Sequence, residues 1–188
     1  MYKNLIKRII DIIGAIVLIA LCIIPCIIIA VLIKLDSKGS VFYRQIRIGK
    51  DTKEFKIFKF RTMVSDADKI GGYSTQVGDS RITKIGKFLR STSLDELPQF
   101  LNVLFGDMSF IGPRPDVPAQ RKNYTEKEWK NRHKVLPGIT GLSQCRNRHN
   151  ITNSDRKKYD IFYNKKVNLI LDMKIILWTL KVLKKGSY

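Results

Sequence analysis

The sequence predicts an α+β protein that is mostly helical and has a membrane segment at its N-terminus. Three features predict this fold class. The run from Ile12 to Ile33 contains no charged residue, two later segments alternate apolar and polar residues as paired strands do, and apolar residues recur at helical spacing over much of the remainder. We therefore expect a membrane element at residues 1–35 and one compact domain at residues 36–188.

The apolar run is long enough to cross the hydrocarbon core of a bilayer as a straight helix of about 30 Å. Pro25 lies in the middle of the run, where it removes a helical hydrogen bond and predicts a break or kink. Both flanks are basic, with Lys3, Lys7 and Arg8 before the run and Lys34, Lys38, Arg44 and Arg47 after it. Cytoplasmic flanks attract Lys and Arg, so the residues alone leave open a spanning helix and a re-entrant one. A cleaved signal peptide is not expected, because no A-x-A site follows.

Residues 41–48 and 54–61 have the alternation and composition of strands, and the polar residues between them predict a β-hairpin. Further along, a helix is expected to begin near Asp95, with Pro98 in its first turn and Gly106 at its end. Residues 125–134 are predicted to form a charged helix, and residues 154–166 a further helix. Residues 167–185 are predicted to form an amphipathic interfacial or core helix, and residues 71–80 a polar loop.

The formal net charge is +19, from 35 Lys and Arg against 16 Asp and Glu. This excess indicates an anionic partner, and nucleic acid, anionic lipid and phosphorylated substrates all qualify. A basic surface that only keeps the protein soluble or near a membrane is the alternative. The three cysteines include no C-x-x-C pair, so neither a disulfide framework nor a zinc ribbon is indicated.

Asp95 and Glu96 are adjacent carboxylates that helical geometry would point about 100° apart. They would then take different roles, one attacking a substrate and the other holding a metal. A structural interpretation competes with this one, because Ser93 and Glu96 also match a capping box and acidic residues complement a helix N-terminus.

Basic residues surround this pair in the sequence, namely Arg81, Lys84, Lys87 and Arg90 before it and Arg114 after it. A carboxylate that attacks a diphosphate needs such cations, because they neutralise the phosphate oxygens. Gly138 and Gly141 flank a loop that would either cradle a phosphate or form an ordinary turn. His133 and His149 have no ligand-spaced partner, and the chain has neither a P-loop nor a G-x-G-x-x-G fingerprint.

Several ordered motifs resemble the bacterial sugar transferase family, the monotopic phosphoglycosyl transferases. They are Leu89-Arg90, Ser93-Leu94-Asp95-Glu96-Leu97-Pro98-Gln99, Gly106-Asp107-Met108-Ser109, Gly112-Pro113-Arg114-Pro115, Lys7-Arg8 with Asp11, Val41-Phe42-Tyr43-Arg44-Gln45, Phe58-Lys59-Phe60-Arg61-Thr62-Met63, Asp79 with Arg81-Ile82-Thr83, and Pro137-Gly138-Ile139-Thr140-Gly141. The resemblance covers nearly the whole chain, which looks like a small member of the family.

The resemblance implies a UDP-sugar:polyprenyl-phosphate sugar-1-phosphate transferase. Asp95 would attack the sugar-bearing phosphate of a UDP-sugar, UMP would leave, and an aspartyl phosphosugar would remain. Polyprenol phosphate, usually undecaprenyl phosphate, would then accept the phosphosugar, which is ping-pong covalent catalysis. The product would be the first lipid-linked sugar of a bacterial glycoconjugate such as a capsule.

The resemblance also implies the residues of the site. Asp95 and Glu96 would be catalytic, and Glu96 would help to hold Mg²⁺. The substrate-binding set would be Lys59, Arg61, Arg81, Arg90, Arg114, Gln144 and Arg148. A homodimer is left open, and no nucleic acid is expected as a partner.

For the membrane element, the resemblance implies a re-entrant helix broken at Pro25 and a compact helical catalytic domain with amphipathic interfacial helices. The domain would lie on the cytoplasmic face of the bacterial inner membrane, against an anionic leaflet.

Two departures from the family pattern stand out. Ile24 occupies the place where the family often has Ser before the proline, and an Ile side chain cannot satisfy a freed carbonyl. Residues 145–149 differ from the Val-Asn-Gly-Arg-Asn that the family often shows, although Arg148 keeps its place. A UDP-releasing glycosyltransferase and a non-catalytic, membrane-tethered binding protein for anionic lipid or nucleic acid are the competing hypotheses.

Overall fold

A computed structural model describes residues 2–71, 78–146 and 152–184. Within them the protein is mostly helical, as the sequence predicts. The eight α-helices are α1 (Lys7–Asp36), α2 (Ala67–Ile70), α3 (Lys84–Thr92), α4 (Gln99–Phe105), α5 (Glu126–Arg132), α6 (Leu142–Arg146), α7 (Asn153–Lys166) and α8 (Leu169–Lys184). A short π-helix at Tyr2–Ile6 precedes α1. The polar loop predicted at residues 71–80 lies partly outside the described residues.

The predicted β-hairpin is confirmed. Strand β1 (Phe42–Ile48) pairs antiparallel with β2 (Glu54–Phe60), so that Phe42 lies opposite Phe60 and Ile48 opposite Glu54. A 3₁₀ turn at Lys50–Thr52 joins the two strands. The less exposed face of β2 carries Ile57 beside Lys59, because side chains two residues apart on a strand share a face.

A second, two-stranded sheet was not predicted. Strand β3 (Ser109–Ile111) pairs in parallel with β4 (Gly138–Thr140), where a free loop was expected. The Gly138 amide donates to the carbonyl of Pro113, and the Gly112 amide to that of Thr140. A Cβ at Gly138 would collide with the Gly112 backbone, so both glycines are needed for this close approach. The loop is therefore neither a free turn nor a phosphate cradle built on the Gly138 amide.

The helix expected near Asp95 begins later than predicted. Leu94–Glu96 form a 3₁₀ turn, and α4 starts only at Gln99. The amide of Leu97 donates to the carbonyl of Leu94, three residues back, so the chain here is wound as a 3₁₀ turn and the α-helical bonds of α4 begin only after it. The end of the helix is as predicted, since Gly106 caps α4 with a φ of 95°.

Helix α1 is long and apolar enough to cross a membrane. It runs through Pro25 without interruption, so the predicted break is not confirmed. Most of its apolar side chains are exposed, among them Ile13, Ile16, Val17, Leu21, Ile24, Ile27, Ile28, Val31 and Leu35. A continuous exposed apolar surface of this extent indicates a membrane segment.

Both ends of α1 pack against the domain. Near its start, Ala15 is buried in a cluster with Ile57, Val103 and Met108. Near its end, Ile29 and Ile33 are buried in a second cluster, whose other buried members are Phe60 and Leu89. A third cluster, around Tyr163 and Ile175, fills the space between α6, α7 and α8. The first two clusters tie the hairpin, α3 and α4 to the membrane helix.

Candidate active site

The turn that carries Asp95 and Glu96 is fixed by apolar anchors on either side. Helix α3 ends at Ser93, which adopts a left-handed backbone conformation with a φ of 59°. Leu94 and Leu97 then pack against the cluster that contains Phe60 and Leu89. The carboxylates between these two leucines face β2 of the hairpin and contact its Lys59.

Lys59 and Arg114 hold the carboxylate pair. The Lys59 Nζ lies 2.6 Å from Glu96 Oε1 and 3.7 Å from Asp95 Oδ2. The Arg114 guanidinium contacts the same Glu96 Oε1 at 3.1 Å. The two carboxylates therefore differ in their ion pairs. Glu96 contacts two cations closely, whereas Asp95 makes one longer contact, with Lys59.

Their pKa values diverge accordingly. Burial alone would raise the pKa of Glu96, but the charges of Arg114 and Lys59 lower it to about 2. Burial raises the pKa of Asp95 above its usual value, against the opposing charge of Lys59. Two neighbouring carboxylates with opposite shifts are typical of groups that have different chemical tasks.

The capping interpretation of this segment is not supported. The Ser93 side chain makes no cap hydrogen bond to the turn. The Glu96 carboxylate makes ion pairs with Lys59 and Arg114, where a capping box would have it accept from the Ser93 amide.

The loop that carries Arg114 is held in place by hydrogen bonds that its main-chain carbonyls accept from arginine side chains. The carbonyl of Arg114 accepts from Arg132 at 2.8 Å and from Arg156 at 3.3 Å. The carbonyl of Pro115 accepts from Arg47 at 3.1 Å. The loop that presents the Arg114 side chain to Glu96 is thus fixed by three guanidinium groups from β1, α5 and α7.

A pocket opens beside Glu96, and its lining includes Arg47, Lys59, Gln99 and Arg114. Sequence reasoning treated Arg47 only as a basic flank and named Gln99 only as part of a motif. The alternation of β1 could have indicated Arg47. Its side chain lies on the less exposed face of the strand, whereas Arg44 and Ile46 lie on the other, exposed face. Nothing in the local sequence marks Gln99, because its burial at 2% exposure depends on the fold.

The other predicted site residues lie at different places. Arg90 donates from Nε to Thr62 Oγ1 at 2.8 Å. Its charge partly offsets the rise that burial causes in the pKa of Asp95, so Arg90 belongs to the surroundings of the pair. Arg61 donates to Ser37, Lys38 and Ser65. Arg81 pairs with Asp79 and donates to the Ala67 carbonyl. Gln144 donates to the Ile139 carbonyl at 3.0 Å. Arg148 lies outside the described residues.

The chemistry of Glu96 is compatible with its predicted role in holding a magnesium ion. The hydrogen bonds that Glu96 accepts from Lys59 and Arg114 both go to Oε1, so Oε2 would be its ligand oxygen for a metal ion. Protein sites for Mg²⁺ commonly supply one or two carboxylates and leave the remaining positions to water and substrate phosphate. Within the described chain, no cluster of three or more His, Cys, Asp or Glu residues forms a cage of protein ligands.

Taken together, the exposed apolar α1 and the carboxylate pair beside a pocket lined by cations are the features of a membrane-associated protein. The sequence model for the bacterial sugar transferase family matches residues 2–186. The chain therefore belongs to the bacterial sugar transferase family, which confirms the resemblance drawn from its motifs.

Curated relatives agree with this assignment. The chain is 43% identical to a UDP-glucose:undecaprenyl-phosphate glucose-1-phosphate transferase of Klebsiella pneumoniae, over 92% of this chain and 39% of the relative. It is 39% identical to a UDP-N-acetylgalactosamine-undecaprenyl-phosphate N-acetylgalactosaminephosphotransferase of Aeromonas hydrophila, over 96% of this chain and 44% of the relative. It is 42% identical to an exopolysaccharide production protein of Rhizobium leguminosarum, over 80% of this chain and 81% of the relative. The chain thus spans less than half the length of the first two of these relatives.

Proposed function

We propose that this protein transfers a sugar 1-phosphate from a UDP-sugar to a polyprenol phosphate and releases UMP. The observation that carries the proposal is the arrangement of Asp95 between Lys59, Arg90 and the ionised Glu96. Glu96 and Lys59 also line the adjacent pocket, whose cations suit phosphate. The names of the Klebsiella and Aeromonas relatives describe the same reaction type with different sugars.

In the first half of the reaction, an oxygen of Asp95 forms a bond to the phosphorus that bears the sugar. The bond from that phosphorus to the bridging oxygen breaks, and its electron pair leaves with UMP. In the second half, a phosphate oxygen of polyprenol phosphate bonds to the same phosphorus, and the bond to Asp95 breaks. The carboxylate is then regenerated, as ping-pong covalent catalysis requires.

The residues around Asp95 have distinct tasks in this scheme. Lys59, Arg90 and Arg114 neutralise the phosphate oxygens, so that a negative carboxylate can approach them. Glu96 would hold Mg²⁺ together with substrate phosphate, and the ion would add further charge neutralisation. Burial raises the pKa of Asp95, which makes its carboxylate more basic and so a better nucleophile than an ordinary exposed one.

We further propose that α1 is re-entrant and that the domain lies on the cytoplasmic face of the inner membrane. Near the start of α1, Arg8 donates to the carbonyls of Val103 and Leu104. At its end, Asp36 accepts from the Ile85 amide at 3.0 Å. A spanning helix would separate these two ends by about 30 Å of hydrocarbon. Contact of both ends with one domain supports a position of both ends at the same membrane face. In the bilayer α1 would then have to bend at Pro25, because a straight helix cannot return to the face it entered.

The decisive experiment is UMP release by the full chain in lipid nanodiscs, over a panel of UDP-sugars. Wild type without acceptor should give a burst of UMP and a phosphosugar mass on the protein. Asp95→Asn should abolish both with little change in melting temperature, because the change is nearly isosteric. Asp51→Asn is the matched control, since Asp51 is exposed and has a φ of 53°, which Asn tolerates.

Other results would overturn the proposal. Release of UDP would identify a glycosyltransferase that moves the sugar without its phosphate. No adduct and no turnover with any UDP-sugar, together with salt-sensitive binding of anionic lipid or nucleic acid that ignores Asp95, would identify a binding protein.

A further inference from the structure

Gln99 is an unexplained buried polar residue in the wall of the candidate pocket. Its side chain is 2% exposed, and its Nε2 has no hydrogen-bond partner among the described residues. Buried donors in folded proteins are nearly always paired. Gln99 lines the pocket next to Glu96 and Arg114, so a ligand in the pocket is the natural acceptor.

Arg47 contributes a second unpaired donor to the same pocket. Its two terminal nitrogens are occupied, since one donates to the Pro115 carbonyl and the other to Gln45 Oε1. Its Nε is buried and has no partner within the described chain. Burial, together with the charge of Arg114, lowers the pKa of Arg47 to about 10, which is consistent with a pair of guanidinium groups that lacks an anion.

The charges of the pocket specify the ligand. Three lining residues are cationic, namely Arg47, Lys59 and Arg114, and Glu96 is the one carboxylate among the described lining residues. The lining therefore has a formal charge of three minus one, or +2, which matches a phosphate dianion.

We propose that the Gln99 amide and Arg47 Nε form a phosphate subsite that binds the oxygens of a phosphate group beside the one Asp95 attacks. This inference rests on the proposed function, which supplies two phosphates of the required chemistry. One is the phosphate that leaves in UMP, and the other is the phosphate of the polyprenol acceptor. Gln99 and Arg47 are binding residues in this proposal and form no bond to the reacting phosphorus.

The test uses the full chain in nanodiscs with three test variants and two controls. Gln99→Met removes the amide and keeps an unbranched side chain of similar length, and Gln99→Glu replaces the donor with a charged acceptor. Arg47→Lys keeps the charge and removes Nε. Gln120→Glu and Arg44→Lys are the matched controls, because Gln120 accepts from the Val117 amide outside the pocket and Arg44 is exposed on the same strand as Arg47.

Affinity for UMP and melting temperature are measured together. A subsite for the nucleotide phosphate predicts that Gln99→Met weakens UMP binding about tenfold or more, and a subsite for either phosphate predicts that the melting temperature is unchanged or higher, because no unpaired donor remains buried. A structural role predicts a lower melting temperature with UMP affinity intact. The two roles thus move the two readouts in different directions, and Arg47→Lys should behave like Gln99→Met in the UMP measurement.

Kinetics distinguish the source of the phosphate. A raised KM for the UDP-sugar with weaker UMP binding assigns the subsite to the nucleotide. A raised KM for polyprenol phosphate with UMP binding intact assigns it to the acceptor. Wild-type values for both substrates in Gln99→Met, Gln99→Glu and Arg47→Lys overturn the inference and leave the proposed function standing. Wild type that binds UMP but releases none from any UDP-sugar refutes the function, while the subsite stands if the variants lose that binding.

Discussion

Arg132 donates a hydrogen bond of 2.8 Å to the main-chain carbonyl of Arg114. Arg132 is 1% exposed and also pairs with the buried carboxylates of Asp116 and Asp160. Arg114 in turn pairs with Glu96 beside the proposed nucleophile. A buried ion network in one part of the domain therefore determines where a cation of the site is placed.

The network makes Arg132 a strong determinant of stability. Arg132→Met should lower the free energy of unfolding by about 3–5 kcal/mol, because it leaves two buried carboxylates without their main cation. The change should be visible as a lower melting temperature. Arg121→Met is the control, since Arg121 and its partner Glu126 are largely exposed and the loss should stay within about 1 kcal/mol. Equal stability of the two variants would contradict a structural role for the buried network.

Lys59 is the cation that contacts both carboxylates of the pair. Lys59→Met should lower kcat/KM for the UDP-sugar by at least about a hundredfold, because it removes charge neutralisation where phosphate meets Asp95. Lys56→Met is the matched control, since Lys56 is on the same strand, three residues away and exposed. UMP release assays on both variants would check the prediction. Similar activity in the two would show that Lys59 plays no part in the reaction.

The sequence predicted the parts of this fold that depend on local patterns. The hairpin followed from alternation, and the end of α4 at Gly106 followed from a glycine after an apolar stripe. The carboxylate pair could also be singled out, because its motif is contiguous. The start of α4 was misplaced by three or four residues, since the capping signature does not distinguish an α-helix from the 3₁₀ turn that Leu94–Glu96 form.

Long-range features of the site could not be predicted. The parallel pairing of Ser109–Ile111 with Gly138–Thr140 joins segments that no local pattern relates. The arginines that fix the Arg114 carbonyl come from two helices far along the chain. The burial of Gln99 likewise depends on where the hairpin packs. The charge of the chain and its motifs indicated the type of reaction, whereas the packing of the fold determines which cations lie beside the carboxylate pair.

Substitution of Gly86 in α3 would test how closely this helix, which also carries Arg90, must approach the chain that follows the hairpin. Alanine normally stabilises a helix interior by about 1 kcal/mol over glycine. At Gly86, however, a Cβ would collide with the main-chain carbonyl of Thr62. Thr62 also accepts from Arg90, and its carbonyl accepts from the Thr83 amide. Gly86→Ala should therefore lower both the melting temperature and the activity.

Ser91→Ala in the same helix is the control for this substitution. Ser91 is exposed, and its hydroxyl bonds only to the Phe88 carbonyl among the contacts described for this helix. Its melting temperature should change little. A Gly86→Ala protein as stable as wild type would mean that α3 and the Thr62 backbone can separate without cost.

Asp116 gives the protein a specific acid sensitivity. Burial alone would raise the pKa of Asp116, but the neighbouring His133 and the charges of Arg132 and Arg156 lower it below its usual value. Tyr124 faces the same carboxylate with its hydroxyl. A lowered pKa in the folded state contributes stability that is present above the unfolded pKa of about 3.9 and is lost as the pH falls towards the folded value.

Melting temperatures between pH 7 and pH 3 would isolate this contribution. Wild type should lose more stability over that range than Asp116→Asn, because the variant has no carboxylate to protonate at this position and every other acid titrates in both proteins. Arg156→Gln should fall between them, since it removes one of the charges that lower the pKa of Asp116 and leaves Arg132 in place. If the two variants and wild type lost stability in parallel, the buried pairing of Asp116 would contribute nothing to the pH dependence of folding.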